Sequence, residues 1–376
     1  MAHRVHLDYA SNAPMRASVK EAMIEALNNG IFDPRRLYDE SIKSRYDIEL
    51  SREKIADFFG CEPFEVIFTS SHSESLATFA YGVLNNSDKG LVNSNVVMSP
   101  YDSDVIYKTW LREQTDLRIL KGNMSATIEM SCLDDVVDEN TLGFSIVYSH
   151  PDTGTLENIE EIKNVVKQKS EKTIFHVDAR SACGNIDLNF SKLGIDAMSV
   201  DPFTFGGPSG VAALILSRKC HLYPFIVGAT QERARRSGIE NHIGIAGFGA
   251  LCNEVKSSLQ NEIENNLEIK TKISQVLKES GAQFLDFDPE SDHSISNVVA
   301  AYFSGHAASA VVANFNRMGI NIHAGSSCGS EEFEISKQLM PVTNDENISE
   351  SVFRVSWGYA TTQDDVDAFI NALANI

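Results

Sequence analysis

Apolar and polar positions follow two rhythms along this chain. Short, nearly continuous apolar runs occupy 65–69, 95–100, 117–121, 143–150, 172–178, 197–201 and 211–217. Each has the length of a strand buried on both faces. Between them, apolar residues recur at helical spacing. Val19, Met23 and Leu27 follow Pro14, a residue suited to the start of a helix. A charged amphipathic helix is expected over 42–59, stopped by Gly60. A long polar helix is expected over 252–280, then a strand over 296–303 and a helix over 306–318. Such alternation predicts βαβ units around a mostly parallel sheet, with ligands lying beyond the carboxyl ends of the strands.

Size and charge narrow the picture. At 376 residues and 43% hydrophobic content, the chain can bury a large core in about two domains. Its 52 Asp+Glu against 32 Lys+Arg give a formal charge of −20, and no basic stripe is concentrated in the sequence, so nucleic acid and anionic membranes are poor partners. No apolar signal region opens the chain and no run is long enough to span a bilayer, so a cytoplasmic location is expected. Six scattered cysteines without a C-x-x-C pair argue against a disulfide framework or structural zinc, and no metal site is expected. Five of them read as small core residues. Cys328 differs, because Gly325-Ser-Ser-Cys-Gly329 is a flexible, polar setting suited to a reactive thiol.

Chemistry-bearing residues gather where strands end. In order, the segments are Leu7-Asp-Tyr-Ala-Ser-Asn-Ala-Pro14, Thr69-Ser-Ser-His-Ser-Glu74, His150-Pro-Asp-Thr-Gly154, His176-Val-Asp-Ala179 and Phe203-Thr-Phe-Gly-Gly-Pro-Ser-Gly210. Beyond them lie Gln231-Glu-Arg-Ala-Arg-Arg-Ser-Gly-Ile-Glu-Asn241, Gly319-Ile-Asn-Ile-His-Ala-Gly-Ser-Ser-Cys-Gly-Ser330 and Phe353-Arg-Val-Ser-Trp-Gly358. Order and separations together resemble the cysteine desulfurases, in the class V aminotransferase group of pyridoxal-phosphate (PLP) enzymes. The resemblance spans 5–372. It implies the aspartate-aminotransferase-like fold of PLP-dependent transferases: a large α/β domain, 15–251, around a mostly parallel seven-stranded sheet. A smaller α/β domain, 1–14 with 252–376, would carry the Cys328 loop.

The resemblance also assigns roles, and many positions depart from them. The family writes its cofactor turn with His-Lys, the lysine forming a Schiff base with PLP; Phe203 and Thr204 stand there instead. Asp178 matches the carboxylate that pairs with the pyridinium nitrogen, while Ser181 replaces a glutamine directed at the ring oxygen. Asp102 stands at the position of a ring-stacking histidine, and Pro151 replaces an asparagine that bonds the ring hydroxyl. At the phosphate segment, His72 replaces an alanine and Ser73 a threonine. That segment reads equally as an anion site at a helix N-terminus or as an ordinary helix start. Ile239 replaces the threonine that reaches a partner's phosphate across a dimer. Cys328 matches the persulfide-forming cysteine, and Arg354 the arginine that grips the substrate carboxylate. Asp178 and Arg354 read equally as a satisfied buried carboxylate and an ordinary ion-pair partner.

Threonine cannot form an imine, so standard PLP chemistry is not expected, and PLP could bind only noncovalently. Two readings follow. One is a non-catalytic or regulatory relative in sulfur transfer or iron–sulfur cluster assembly. It would be a homodimer, or a heterodimer with an active desulfurase, with a sulfur carrier or iron–sulfur scaffold as further partner. The other is an active desulfurase or a persulfide relay through Cys328, with atypical PLP use.

Overall fold

The computed structural model describes residues 4–85, 93–285, 293–325 and 338–374. Cys328 lies outside them, as does the rest of its loop. After a short strand β1 (Val5–His6), helices α1 (Ala17–Asn28) and α2 (Asp39–Phe59) precede β2 (Val66–Thr69) and α3 (His72–Asn85). Then come β3 (Asn95–Met98), α4 (Asp104–Arg112), β4 (Asp116–Ile119), a turn α5 (Leu133–Val136), β5 (Thr141–Val147), α6 (Ile159–Lys169) and β6 (Ile174–Asp178). A turn α7 (Phe190–Leu193), β7 (Ala197–Val200) and β8 (Ala212–Leu216) complete one seven-stranded sheet in the order β2-β8-β7-β6-β5-β3-β4. Only β8 runs against its neighbours. This is the mostly parallel α/β sheet expected from the sequence.

Strand periodicity explains how the sheet is covered. Successive side chains point to opposite faces. Ile67, Val96 and Leu214 pack with Leu76, Phe79 and Trp110 of α3 and α4. Their neighbours Phe68, Val97 and Ile215 face α2, α6 and the long helix that follows. Helix α2 ends where anticipated. Gly60 takes a left-handed φ of 62°, and a Cβ there would meet the Asn189 side chain at 2.4 Å.

The long helix α8 (His242–Glu279) begins ten residues before the position the sequence suggested. Asn241 caps it by accepting from the Gly244 N–H at 3.1 Å. Three glycines in its first turns, Gly244, Gly247 and Gly249, obscure the apolar spacing, but they let it pack closely on Met23 and Ser51. Its first half joins the sheet core through Ile245, Phe248 and Leu251. Its last turns, with Ile273 and Leu277, join a second core. That core is completed by β9 (Val298–Tyr302), α9 (Ala308–Arg317), β10 (Ile320–Asn321), β11 (His323–Ala324), β12 (Val352–Ser356) and α12 (Gln363–Leu373), while the turns α10 (Met340–Thr343) and α11 (Glu346–Ser351) pack on the sheet core through Val342 and Ile348. The N-terminal strand belongs to the second core, because β1 pairs in parallel with β10. Leu27, expected on the inner face of α1, is 55% exposed; Val19 supplies the buried anchor.

The β2 edge of the sheet is closed by an ion pair. Arg52 and Glu232 meet through two contacts of 2.8 Å, both side chains almost wholly buried. The same Arg52 donates to the Val66 carbonyl at 2.9 Å, and Glu232 accepts from the Phe68 N–H at 2.9 Å. The pair therefore occupies the outward backbone groups of edge strand β2, which would otherwise offer a template for another strand. Removing one partner strands the other charge. Glu232→Ala is expected to lower stability by about 3–5 kcal/mol in urea unfolding. A loss within about 1 kcal/mol would mean that the pair behaves as a surface bridge.

A buried carboxyl gives stability a pH dependence. Burial pushes Glu157 up to about 8, only partly opposed by the Ile128 N–H it accepts at 2.9 Å. The folded state holds this proton more tightly than the unfolded state. Its contribution is complete below the ordinary carboxyl range and is lost as pH rises towards 8. Glu157→Gln keeps the acceptor and removes the titration. The advantage of this variant in melting temperature is expected to grow from about pH 5 to about pH 8. An equal difference at both pH values would remove Glu157 as the cause.

Candidate functional site

Beyond the carboxyl ends of β2, β3, β5, β6 and β7, the sequence-selected residues come together, and nearly all have found internal partners. Asp178 closes β6 between Val147 and Ser199 of its neighbouring strands. Its Oδ1 lies 2.8 Å from His72 Nε2 and accepts the Arg180 N–H at 3.0 Å. Burial alone would raise its pKa. The His72 charge and hydrogen bond, with the Arg180 N–H, outweigh that and hold it below the ordinary value.

Behind this pair runs a second polar chain. His176, two residues earlier on the same strand, contacts Ser145 Oγ at 3.0 Å and Ser199 Oγ at 2.9 Å. The Phe79 ring stacks on it, with centroids 4.2 Å apart. Burial pushes His176 down to about 3, so the imidazole is neutral. Asp102 completes the chain, accepting from Ser145 Oγ at 3.2 Å and from the Ser99 N–H at 3.0 Å. Its carboxyl is raised well above the usual range, first by burial and then by the charge of Asp178. Asp102 is thus fully engaged within the sheet.

At the start of α3, Ser71 accepts the Glu74 N–H through its hydroxyl, and Ser73 is exposed at the second helical position. Glu74 turns back to accept from the Ser70 N–H at 2.9 Å and from the Ser70 hydroxyl, and pairs with Arg236 at 2.8 Å. A carboxylate of the chain itself therefore lies at this positive helix end. Thr204 follows β7 in a tight turn, Pro202–Phe205, closed by Gly206 at a φ of 101°. It is buried, and its hydroxyl donates to the Arg180 carbonyl at 3.2 Å. Phe203 is anchored through its backbone to Asp201 and Ala13, and Asp201 meets Arg180 at 3.2 Å. The Ser181 carbonyl accepts from Asn185. Lys192 and Lys219 are both exposed.

Arg354, on β12, is 5% exposed. Nη1 donates to the Pro151 carbonyl at 3.0 Å and to Asp152 at 3.1 Å; Nη2 donates to Asp8 at 3.1 Å and to Ser11 at 2.7 Å. Ile239 is 59% exposed and stands apart from these contacts. The five described cysteines are thiols: burial pushes Cys61 and Cys220 up to about 12, and Cys132, Cys183 and Cys252 also upward. Among the described residues no cluster could hold a metal ion, and no helix is long and apolar enough to cross a membrane.

The sequence did not single out Glu74 with Arg236, the acceptors around Arg354, or the Asp102–Ser145–His176 chain. Only the last left a local trace, since His176 and Asp178 share one face of a strand through their two-residue spacing.

The family model of the class-V aminotransferases matches residues 5–369. A cysteine desulfurase IscS of Dictyoglomus turgidum is 29% identical, the match covering 100% of this chain and 95% of that one. A cysteine desulfurase IscS of Methanosarcina thermophila is 28% identical over 99% of this chain and 91% of its own. Among solved structures, a NifS-like protein superposes with a TM-score of 0.92 at 24% identity, covering 99% of both chains. A NifS-like protein from Rickettsia africae gives 0.86 at 22% identity over the full length of both. These two show the fold, that of the PLP-dependent transferases.

Proposed function

Because the chain belongs to the class-V aminotransferases, a PLP-dependent family, we propose that it is a cysteine desulfurase-like protein that has given up PLP catalysis. It would serve sulfur transfer or iron–sulfur assembly as a binding or regulatory partner. The observation that carries this reading is the His72–Asp178 contact of 2.8 Å. The carboxylate that would hold a pyridinium nitrogen is already satisfied by an imidazole of the chain.

The remaining residues support the same reading, because they do not fit a covalently held cofactor. Thr204 offers no amine, and its hydroxyl is committed to a carbonyl. Asp102 presents a hydrogen-bonded carboxyl in place of an aromatic face. A polar ligand would have to break several of these contacts before making its own.

Association with a second desulfurase-type chain is part of the proposal. Tyr38, just before α2, and Ile42, Tyr46 and Leu50 on its outer face recur every fourth residue and are 49%, 43%, 66% and 38% exposed. An uncovered apolar stripe of this kind suits an interface. A dimer mass by light scattering at micromolar concentration is expected, and a monomer would count against the interface.

The deciding experiment is an absorption spectrum of the purified protein before and after PLP and then cysteine. The expected result is the spectrum of free PLP alone. A borohydride-reducible Schiff-base band would mean that another lysine serves, and would restore the enzymatic reading, with Cys328 as the thiol to examine. Thr204→Lys alone is expected to yield no robust alanine production from cysteine, because His72 and Asp102 remain. Brisk turnover by that variant would show that these contacts yield readily.

A further inference from the structure

The His72–Asp178 contact is a departure from the pattern that the sequence resembles, which has an alanine at position 72. An alanine carries no group that could reach a carboxylate. Here the imidazole Nε2 stands 2.8 Å from Asp178 Oδ1, and the Arg180 N–H donates to the same oxygen at 3.0 Å. A carboxylate offers about four lone-pair directions, and both contacts fall on one of its oxygens. Its acceptor capacity is therefore not exhausted. The obstacle in front of it is the imidazole itself.

Neither partner is free to swing away. His72 is the first residue of α3, and the start of that helix is tied down from several sides. Thr69 Oγ1 and Ser75 Oγ lie 2.7 Å apart, and the Ser75 N–H donates to the Ser71 carbonyl at 3.1 Å. The Glu74 N–H donates to Ser71 Oγ at 3.2 Å, and farther along Leu76 and Phe79 are fully buried against the sheet. Asp178 ends β6, where its carbonyl accepts the Tyr148 N–H at 2.8 Å. The His72 and Asp178 side chains are only 10% and 8% exposed. An imidazole delivered from a fixed helix end acts as a tethered ligand. Tethering gives it an effective concentration of about 1 mM or more at its acceptor, so a free heterocycle at micromolar concentration competes poorly.

We propose that His72 is a specificity-determining residue, whose imidazole takes the place at Asp178 of a pyridine-type ring nitrogen and closes the site to such heterocycles. Asp178 keeps the capacity to hold such a ring once the imidazole is removed. This rests on the non-catalytic reading above and narrows it to a single side chain. The probe is pyridoxamine 5′-phosphate, which has the ring and phosphate of PLP but an amine in place of the aldehyde. It cannot join covalently to a lysine. Its binding therefore reports on the ring site alone, whatever the absorption spectrum with PLP shows about another lysine.

The experiment is isothermal calorimetry of the full chain with pyridoxamine 5′-phosphate. Wild type is expected to show no saturable heat up to about 1 mM ligand. His72→Ala, and His72→Ser at a helix start that tolerates serine, are each expected to bind at least about tenfold more tightly than wild type. Adding Asp178→Asn should abolish the gain. Free imidazole should compete with the probe in His72→Ala, because it can re-enter the space the side chain left. Saturable binding by wild type below about 1 mM would overturn the proposal. So would folded variants with no gain, or a gain that persists with Asp178→Asn. Should neither variant fold, wild type decides alone: saturable binding overturns the proposal, and its absence supports it.

Discussion

The buried Arg52–Glu232 pair is the constraint on which much of this architecture hangs. It completes the outer edge of β2 with two side-chain groups where a neighbouring strand would have supplied backbone. It also fixes an unusual backbone. Glu232, Arg233 and Ala234 all have positive φ, at 45°, 58° and 64°, a conformation that costs about 1–2 kcal/mol per residue for a side chain with a Cβ. A buried charged hydrogen-bond network offsets that cost only while complete. The same turn delivers Arg236 to Glu74 at the start of α3. An interaction at the sheet edge thus reaches the candidate site through a few residues of strained chain.

At the site itself the governing fact is satisfaction from within. Asp178 has His72 and the Arg180 N–H; Glu74 has Arg236 and Ser70; Arg354 has Asp8 and Asp152; Asp201 has Arg180. A pocket built for a polar ligand keeps some desolvated donors or acceptors waiting, because their pairing supplies the affinity. Here those groups are paired across elements far apart in sequence. Transfer of any pair to a ligand must first recover the energy of the contact it replaces.

What the sequence made legible was local. Apolar runs located the strands of the sheet, Gly60 marked the end of α2, and the ordered motifs identified the family before any geometry. Each departure at Thr204, His72 and Asp102 was visible as a letter. Its consequence was not, since Arg354 and Asp8 lie 346 residues apart and Arg52 and Glu232 180 apart. Nothing in a run of residues states which distant charge will face another. The early start of α8 was hidden for a different reason: glycines chosen for close packing dilute the apolar period that signals a helix. The exposed side of Leu27 was hidden too, because helical spacing identifies a face without saying which partner covers it.

The departures also support one another. A fully buried carboxylate at Asp178 with no cation or donor would be costly enough to become protonated or to destabilise the strand end. His72 removes that penalty, and it can do so because position 72 opens α3 directly above β6. The neutral His176 beneath adds no charge to the same small volume. Viewed as separate substitutions, Asp102 and Thr204 stand where the resemblance places a ring-stacking histidine and a lysine, and His72 where it places an alanine. Viewed as electrostatics, His72 with Asp178 and Asp102 with Ser145 and His176 form one arrangement of buried polar groups that pair with one another. That mutual pairing is what a polar ligand entering this site would have to displace.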